Sequence, residues 1–385
     1  MLAEDNSPRR RARPKERKQQ ILASAAELFV QQGFPNVTMS TIAESVDITA
    51  GALYRHYPNK AELLAFAIRQ SLDSFPKIDP EASLDDALAL ACEVAVRHRE
   101  LGPLWSRQLR YLPEDTQSEL RGRLKDMNHA YVELIQRSRP ALSRDQARLL
   151  AWSVQGVLSS PGNHSVVLPA AEFADLLESA CRSLCDIDLA GTAITAPGSV
   201  APLLEPASRR ELLLQKAIRL FGAKGVHATS MEDIGAAAGV TGPSLYTHFA
   251  GKEDILAAAL DRATQALWLD LGEALHHHDD AQDALRAVVG GYVRMTLGWL
   301  QLTSLVLVEF GDNRASRAQQ REYVGEWVAL IQACRPEVEQ AQARILTHAA
   351  LAVIHDISRT PGVADSGSLQ ADLTAMALAV LGCTK

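Results

Sequence analysis

Two stretches of this sequence decide its fold: Thr49-Ala-Gly-Ala-Leu-Tyr-Arg-His-Tyr57 and Thr241-Gly-Pro-Ser-Leu-Tyr-Thr-His-Phe249. They lie 192 positions apart, and the same offset aligns residues 29–64 with 221–256 without a gap, with ten of 36 pairs identical. A second similarity, at an offset of 196, aligns residues 132–140 with residues 328–336. Similarity at a nearly fixed spacing indicates that the chain is two copies of one domain of about 190 residues.

Each copy begins with a pattern typical of a helix-turn-helix. In the first copy an apolar helical stripe ends at Gly33, Thr38 can cap a short second helix, and Thr49 can cap a third. Leu53 and Tyr57, four residues apart, lie on one face of that third helix and can pack inward. Because aromatic residues make up only 5% of the chain, an all-α fold is favoured. The third helix of each copy is then shaped to fit a DNA major groove.

The outer surface of each third helix predicts the DNA contacts. Small residues let the helix end approach base edges, while hydroxyl, imidazole and ammonium groups can reach phosphates on either side. For each tyrosine and histidine the alternative is a structural role, in packing or in capping. We also expect the arm arginines Arg11 and Arg13 to contact phosphates or the minor groove. The predicted contacts are Thr38, Thr49, Ala50, Gly51, Tyr54, Arg55, His56 and Lys60 in the first copy, and Ser230, Thr241, Gly242, Pro243, Ser244, Tyr246, Thr247, His248 and Lys252 in the second.

The same residues resemble a known family. Thr38-Met-Ser-Thr-Ile-Ala43, followed by Ile48-Thr-Ala-Gly-Ala-Leu-Tyr-Arg-His-Tyr57 and Lys60, looks like the DNA-binding signature of the TetR family of bacterial repressors. Residues 230–252 resemble it as well, so the resemblance covers about 45 residues of each copy. It implies an all-helical subunit that pairs through its last two helices. It also implies that double-stranded operator DNA is released when a small molecule binds the larger domain.

Two such copies in one chain imply an intramolecular pseudo-dimer. The last-helix pairs are predicted at 144–160 with 170–187, and at 338–358 with 368–383. Since the two third helices carry unlike outer residues, we expect an asymmetric operator whose half-sites lie about 34–36 Å apart. The chain is expected to act as a monomer. The alternative is a homodimer with four heads, where a head is one helix-turn-helix domain.

Composition shifts predict the domain boundaries. A stretch with three prolines and two glycines, residues 191–206, disfavours regular structure and is interpreted as a linker. The predicted domains are a basic arm over 1–18, helix-turn-helix domains over 19–68 and 207–260, and helical ligand-binding and dimerisation domains over 69–190 and 261–385.

Charge is distributed unevenly along the chain. The net charge of −7 argues against a nucleic-acid partner, but residues 1–18 hold seven basic and three acidic residues. Residues 1–68 carry a net charge of +2, whereas residues 205–260 carry none. Because phosphate neutralisation supplies much of DNA affinity, we expect the first head to bind more tightly and with a steeper salt dependence.

Other sequence features predict a cytoplasmic protein without a membrane partner. The longest membrane-like stretch lies between Arg294 and Glu309 and has 14 uncharged residues, whereas a membrane span needs roughly 20 apolar ones. The N-terminus has no apolar segment typical of a secretory signal. Five widely spaced cysteines fit reduced thiols, and Cys181 and Cys185 are interpreted as small buried hydrophobic residues.

Eight aromatic residues are candidate walls of a pocket for a small hydrophobic effector, with core packing as the alternative for each. They are Trp105, Tyr111, Tyr131, Trp152, Trp268, Tyr292, Trp299 and Trp327. No cofactor and no metal are expected, since His276-His277-His278 fits an exposed helix end or loop better than a ligand set. Two rivals to a DNA-binding regulator remain: a helical interaction or sensor protein in which only the first helix-turn-helix reads DNA, and a metalloenzyme that uses this histidine cluster.

Overall fold

The computed structural model describes residues 14–190, 204–226, 228–240, 242–299, 302, 314–360 and 368–384. Every regular element in those ranges is a helix, which confirms the predicted all-α class. Contacts divide the chain into a first unit, residues 1–76 with 100–125, and a second unit, residues 77–99 with 126–385. Arg11, Arg13, Thr241 and most of the predicted linker lie outside the described residues.

The first copy contains nine of the described helices. They are α1 Pro14–Gln32, α2 Met39–Ser45, α3 Ala50–Tyr54, α4 Lys60–Asp73, α5 Leu84–Arg97, α6 Leu101–Pro103, α7 Glu114–Ser138, α8 Arg144–Ser159 and α9 Ala170–Asp186. Between α6 and α7 the chain forms one π-helical turn, Leu104–Gln108, and one 3-10 turn, Leu109–Tyr111.

The described helices of the second copy follow the same order. They are α10 Arg209–Lys224, α11 Met231–Ala238, α12 Gly242–Tyr246, α13 Lys252–His277, α14 Ala281–Gly298, α15 Arg314–Cys334, α16 Gln340–Ser358 and α17 Leu369–Leu381.

The helix-turn-helix cores form as the sequence predicts. In the first unit α1 packs against α2 and α4, and the predicted stripe of α1 is buried except for the half-buried Leu28. In the second unit the corresponding cluster joins α10, α11, α12 and α13. Leu53, Tyr57, Leu245 and Phe249 are each at most 1% exposed, so the inward face of both third helices is confirmed.

Positive φ angles occur at matching places in the two copies. Gly33 and Gly225 follow the first helix of each copy with φ of 78° and 84°. Their ψ angles of 146° and 155° are extended rather than left-handed helical, a region open essentially to glycine alone. The turn before the third helix uses Asp47 (φ 53°) in the first copy and Gly239 (φ 62°) in the second.

Within the second unit, the last two helices of each copy pack together as predicted. They form the interface of the pseudo-dimer, which we call the seam. Helix α8 packs against α16, and α9 packs against α17. The observed ends of these four helices lie within two residues of the predicted ones. A Cβ atom at Gly156 would lie 2.9 Å from the Val353 Cα, so glycine is what allows α8 and α16 to approach so closely.

Candidate nucleic-acid interface

Helix α3 carries the predicted reading surface of the first head. The Thr49 hydroxyl accepts a hydrogen bond from the Ala52 amide (3.2 Å) and so caps the helix, as expected for an N-cap residue. Tyr54 is 52% exposed, and Arg55, His56 and Gly51 are also exposed, while Ala50 is half-buried. The helix therefore turns its predicted DNA contacts to solvent while Leu53 anchors it.

Helix α12 presents the equivalent surface of the second head. Tyr246 is 53% exposed, nearly the same fraction as its counterpart in α3, and His248 is half-buried. Ser244 and Thr247 are exposed, and the Thr247 hydroxyl donates to the Ser244 carbonyl (2.7 Å). The backbone of Gly242 and Pro243 belongs to this helix.

The second helix of each head begins at a capping residue that was predicted to contact DNA. The exposed Thr38 hydroxyl accepts from the Thr41 amide (3.1 Å). In the second head Ser230 and Asp233 form a capping box, with the Ser230 hydroxyl accepting from the Asp233 amide (3.1 Å) and the Asp233 carboxylate accepting from the Ser230 amide (3.0 Å). These hydrogen bonds lower the pKa of Asp233 below its usual value.

An open cavity of about 400 Å³ is lined in part by residues of the second reading surface. Its lining includes three of the predicted contacts, Ser230, Tyr246 and Lys252. Two carboxylates, Glu232 and Glu253, line it as well. The concave side of the second head therefore mixes donors suited to phosphate with acidic groups that repel it.

The aligned lysines Lys60 and Lys252 have structural contacts that the sequence did not predict. Lys60 Nζ donates to the carbonyls of Phe34 (2.5 Å) and Val37 (2.8 Å), and it lies 4.3 Å from the centre of the Phe34 ring. Burial lowers the pKa of Lys60. Lys252 Nζ donates to the carbonyl of Val226 (3.1 Å), the residue aligned with Phe34. Contact of these ammonium groups with phosphate stays a prediction, and it competes with these backbone acceptors.

Arg17 is a second basic residue whose structural contact sequence reasoning missed. It was counted in the basic arm, yet its guanidinium donates to the Val46 carbonyl (3.2 Å) in the turn between α2 and α3. A local pattern could not reveal this bond, because the two residues are 29 positions apart.

The structure brings three of the eight predicted pocket aromatics into one cluster, in the second copy. Tyr292 lies 5.6 Å from Trp327 and Trp268 lies 5.9 Å from Tyr323, which also stacks on Tyr292 at 6.1 Å between ring centres. The Tyr292 hydroxyl is 2.7 Å from His355 Nε2. Sequence reasoning missed Tyr323 and His355, although Tyr323 lies one helical turn before Trp327.

The remaining pocket candidates lie in other surroundings. Tyr111 stacks on Phe34 at 5.1 Å, and Tyr131 is buried, with burial raising its pKa. Trp299 is 45% exposed, whereas Trp105 and Trp152 are half-buried. The thiols of Cys92 and Cys181 contact each other, and Cys181 and Cys185 are buried as predicted.

Two negative observations apply to the part of the chain that the structure describes. His276, His277 and His278 are all exposed around the end of α13, and no group of three or more potential ligands there could hold a metal ion. None of the described helices combines the length and the apolar character that a membrane crossing requires.

Comparison with known proteins gives matches in both copies. The sequence profile of the bacterial regulatory proteins of the tetR family matches residues 21–66 and 213–259. The HTH-type transcriptional regulator TtgW of Pseudomonas putida is 33% identical over 129 residues, which are 32% of this chain and 95% of that protein. An HTH-type transcriptional regulator of Staphylococcus aureus is 39% identical over 61 residues, 16% of this chain but only 33% of that relative.

Similar solved structures match about half of the chain. A TetR-family regulator from Bordetella parapertussis covers 46% of this chain and 95% of its own, with 18% identity and a TM-score of 0.43. The ketosteroid transcriptional regulator KstR2 of Mycobacterium tuberculosis covers the same two shares, with 19% identity and a TM-score of 0.41.

Proposed function

Because the chain belongs to the tetR family of bacterial regulatory proteins, we propose that it is a one-chain repressor that holds an asymmetric operator and releases it when an effector binds. The observation that carries this proposal is the repeated reading surface. Tyr54 and Tyr246 are exposed to almost the same extent on helices whose inner residues are buried. One polypeptide therefore holds two surfaces of the kind that enters a major groove.

The asymmetry of the operator follows from the residues around these tyrosines. The first reading surface has Gly51 in α3 and Arg55 directly after it, where the second has Pro243 in α12 and Thr247 directly after it. Arginine can make a bidentate contact with guanine, which threonine cannot reproduce. The two half-sites should therefore differ in sequence.

The second copy offers the better site for a small hydrophobic effector. Its cluster of Trp268, Tyr292, Tyr323 and Trp327 supplies aromatic walls. The buried hydroxyl of Thr296, one turn beyond Tyr292, has no hydrogen-bond partner among the residues that the structure describes. Ligand pockets combine apolar walls with a few convergent polar groups. An effector here would need to favour the DNA-free form by about 1–3 kcal/mol to act as a release signal.

Selection of binding sites from random double-stranded DNA tests the proposal with the full chain. We expect two unlike half-sites with centres about one helical turn apart. A clean inverted repeat would contradict the asymmetric operator, and a lack of preference for any duplex would contradict DNA reading altogether. The mass of the complex in solution then separates one chain per operator from a homodimer with four heads.

A second candidate is a sensor protein in which only the first head reads DNA. The acidic lining at Glu232 and Glu253 favours it, since these carboxylates would face phosphates. A footprint one half-site long, unchanged when the second half-site is scrambled, would support this candidate over the two-headed repressor.

A further inference from the structure

A half-buried histidine pair lies at the seam of the two copies, where the segment between α8 and α9 meets α16. The ring of His164, in the first copy, stacks on the ring of His348 in α16 of the second copy, with centres 4.8 Å apart and planes inclined by 29°. Both residues lie within the second unit. They are 184 positions apart in the sequence, so the pair exists only because the copies meet.

Arg99 holds this segment in place through uncharged acceptors. Its guanidinium donates to the carbonyls of Pro161 (2.8 Å), His164 (2.7 Å) and Val166 (3.1 Å), and it lies 5.3 Å from the centre of the Phe173 ring. The positive charge of Arg99 is therefore brought beside His164, and none of these contacts neutralises it.

The hydrogen bonds of His164 define which nitrogen carries its proton. The Val166 amide donates to Nδ1 (3.2 Å), and the Arg99 guanidinium lies 3.5 Å from the same atom. The neutral ring therefore carries its hydrogen on Nε2. Nε2 is buried and has no hydrogen-bond partner among the described residues. A buried donor of this kind needs an acceptor.

The charged groups around the pair are cationic. Arg344 lies on α16 one turn before His348, on the same face of that helix. Burial is the main cause that lowers the pKa of His164 to about 2 and that of His348 to about 4, and the charge of Arg344 lowers both further. The charge of Arg99 also lowers the pKa of His164.

The carboxylates that form contacts across this seam already accept hydrogen bonds from other side chains. Glu172 accepts from the Gln342 side chain (3.1 Å). Asp356 accepts from the Ser159 hydroxyl (3.1 Å) and from Arg359 (2.9 Å). The cluster around His164 thus combines an unused N–H donor with two arginine charges.

We propose that His164, His348 and Arg344 form a binding site for one small anionic group, a carboxylate or a phosphate, between the two copies. The Nε2 hydrogen of His164 and the guanidinium of Arg344 supply directed donors, which bind such oxygens strongly when one partner is charged. Bound there, the anion offsets the excess positive charge and joins the first copy to the second.

The positions of the first copy that correspond to Arg344 and His348 do not repeat the site. At the offset of 196, Arg344 corresponds to Arg148 and His348 corresponds to Trp152. The Arg148 guanidinium pairs with Asp145 at 3.4 Å, and tryptophan cannot replace the stacked imidazole as a titrating group. Arg148 is therefore a matched control for Arg344.

Titration of the purified full chain without DNA tests this site independently of the proposed function. Inorganic phosphate and acetate are added separately, against sodium chloride at equal ionic strength, while calorimetry measures binding and thermal unfolding measures stability. We expect saturable binding of one anion per chain and a higher unfolding temperature, and the stronger of the two anions identifies the chemical class. Equal effects of chloride, or no binding at millimolar concentration, would overturn the proposal.

Variants assign the binding to these residues. Arg344→Gln should weaken binding about tenfold or more, whereas Arg148→Gln should leave it unchanged. His164→Phe keeps an aromatic ring for stacking but removes the Nε2 donor, so it should weaken binding even if Arg344→Gln does not fold. Undiminished binding in a folded Arg344→Gln or His164→Phe protein would refute the site.

The imidazole resonances provide a readout that a purely structural role would not move. Because an anion stabilises the protonated rings, its binding should raise the pKa of His164 and His348. Unchanged titration of both rings in saturating phosphate and in saturating acetate would place the anion elsewhere and overturn the proposal.

Discussion

The two heads have the same interior and different outer faces. Leu53 and Leu245 occupy the same buried place, as do Tyr57 and Phe249. Outside, Ser40 and Ala61 of the first head correspond to Glu232 and Glu253 of the second. Packing therefore constrains the repeat where residues are buried, while the exposed face is free to differ. We therefore expect the two heads to contribute unequally to DNA binding although they share a fold.

The largest difference should appear when the tyrosine hydroxyl of each reading helix is removed. A hydrogen bond to a charged group contributes about 1.5–3 kcal/mol, so Tyr54→Phe should weaken operator binding roughly 10- to 100-fold. Tyr246→Phe should cost less, because its head carries more negative charge on the DNA side. Fluorescence anisotropy on the selected operator measures both, with circular dichroism as the control for folding. Equal losses of operator affinity in the two variants would contradict the expectation that the first head contributes more to DNA binding.

Replacement of the paired lysines distinguishes a structural role from phosphate contact. Lys60→Met removes the hydrogen bonds to Phe34 and Val37, which should lower stability by about 1–3 kcal/mol. Lys252→Met should act in the same direction but less, since the aligned Val226 has no ring for a cation–π contact.

The salt dependence of DNA binding decides between the two roles of Lys60. If its ammonium stays on the backbone carbonyls, the slope of log affinity against log salt is the same in Lys60→Met and wild type. A slope smaller by about one would show a lost phosphate contact and would contradict the structural role.

Local features of both heads could be predicted from the sequence. Thr38, Thr49 and Ser230 act as helix caps because a hydroxyl and the amides it accepts from are only three residues apart. The inward placement of Leu53 follows from helical periodicity alone. The fold class and the ends of the seam helices were predictable for the same reason, because capping and periodicity depend on residues that are close together in the sequence.

Features that depend on distant parts of the chain could not be predicted. The carbonyl of Phe34 that binds Lys60 comes from a 3-10 turn 26 positions earlier. The stack of His164 on His348 joins the two copies. Nothing in the pattern around Tyr292 indicates that its hydroxyl lies 2.7 Å from a ring nitrogen of His355, 63 positions later. Such contacts follow from how helices pack, which periodicity does not specify.

Acid should destabilise the second copy through a residue that the first copy lacks. Burial lowers the pKa of His355 to about 3, and the corresponding residue of the first copy is Ser159. Above pH 6.5 the ring is neutral in both folded and unfolded chains. Between pH 6.5 and 3 only the unfolded chain binds the proton, so the free energy of unfolding falls by about 1.4 kcal/mol per pH unit for this group.

His355→Gln keeps an acceptor for the Tyr292 hydroxyl but does not titrate. Chemical unfolding at pH 7, 6 and 5 should show a shallower loss of stability in this variant than in wild type. Parallel pH curves for the two proteins would show that His355 is accessible to protons in the folded state.

Removal of the acidic residues from the second head should make the DNA affinities of the two heads more similar. In the double variant Glu232→Ser with Glu253→Ala, the second head carries the residues of the first at both positions. Exposed charges contribute about 0.2–1 kcal/mol each, so we expect a few-fold gain in operator affinity that fades at high salt. The reverse change, Ser40→Glu with Ala61→Glu, should lower affinity. An unchanged affinity in both variants would exclude these positions as the source of the difference.

The turn before the reading helix is a further difference, because the heads reach the same backbone conformation there with different residues. Gly239 has a φ of 62°, and a Cβ atom there would meet no atom within 4 Å, so a substitution acts through the backbone alone. Gly239→Ala should cost about 1 kcal/mol. Gly239→Asp should cost less, because aspartate tolerates this region, as Asp47 does at a φ of 53° in the first head. Thermal unfolding measures both variants, and equal costs for alanine and aspartate would show that Asp47 is held by its surroundings rather than by its own preference.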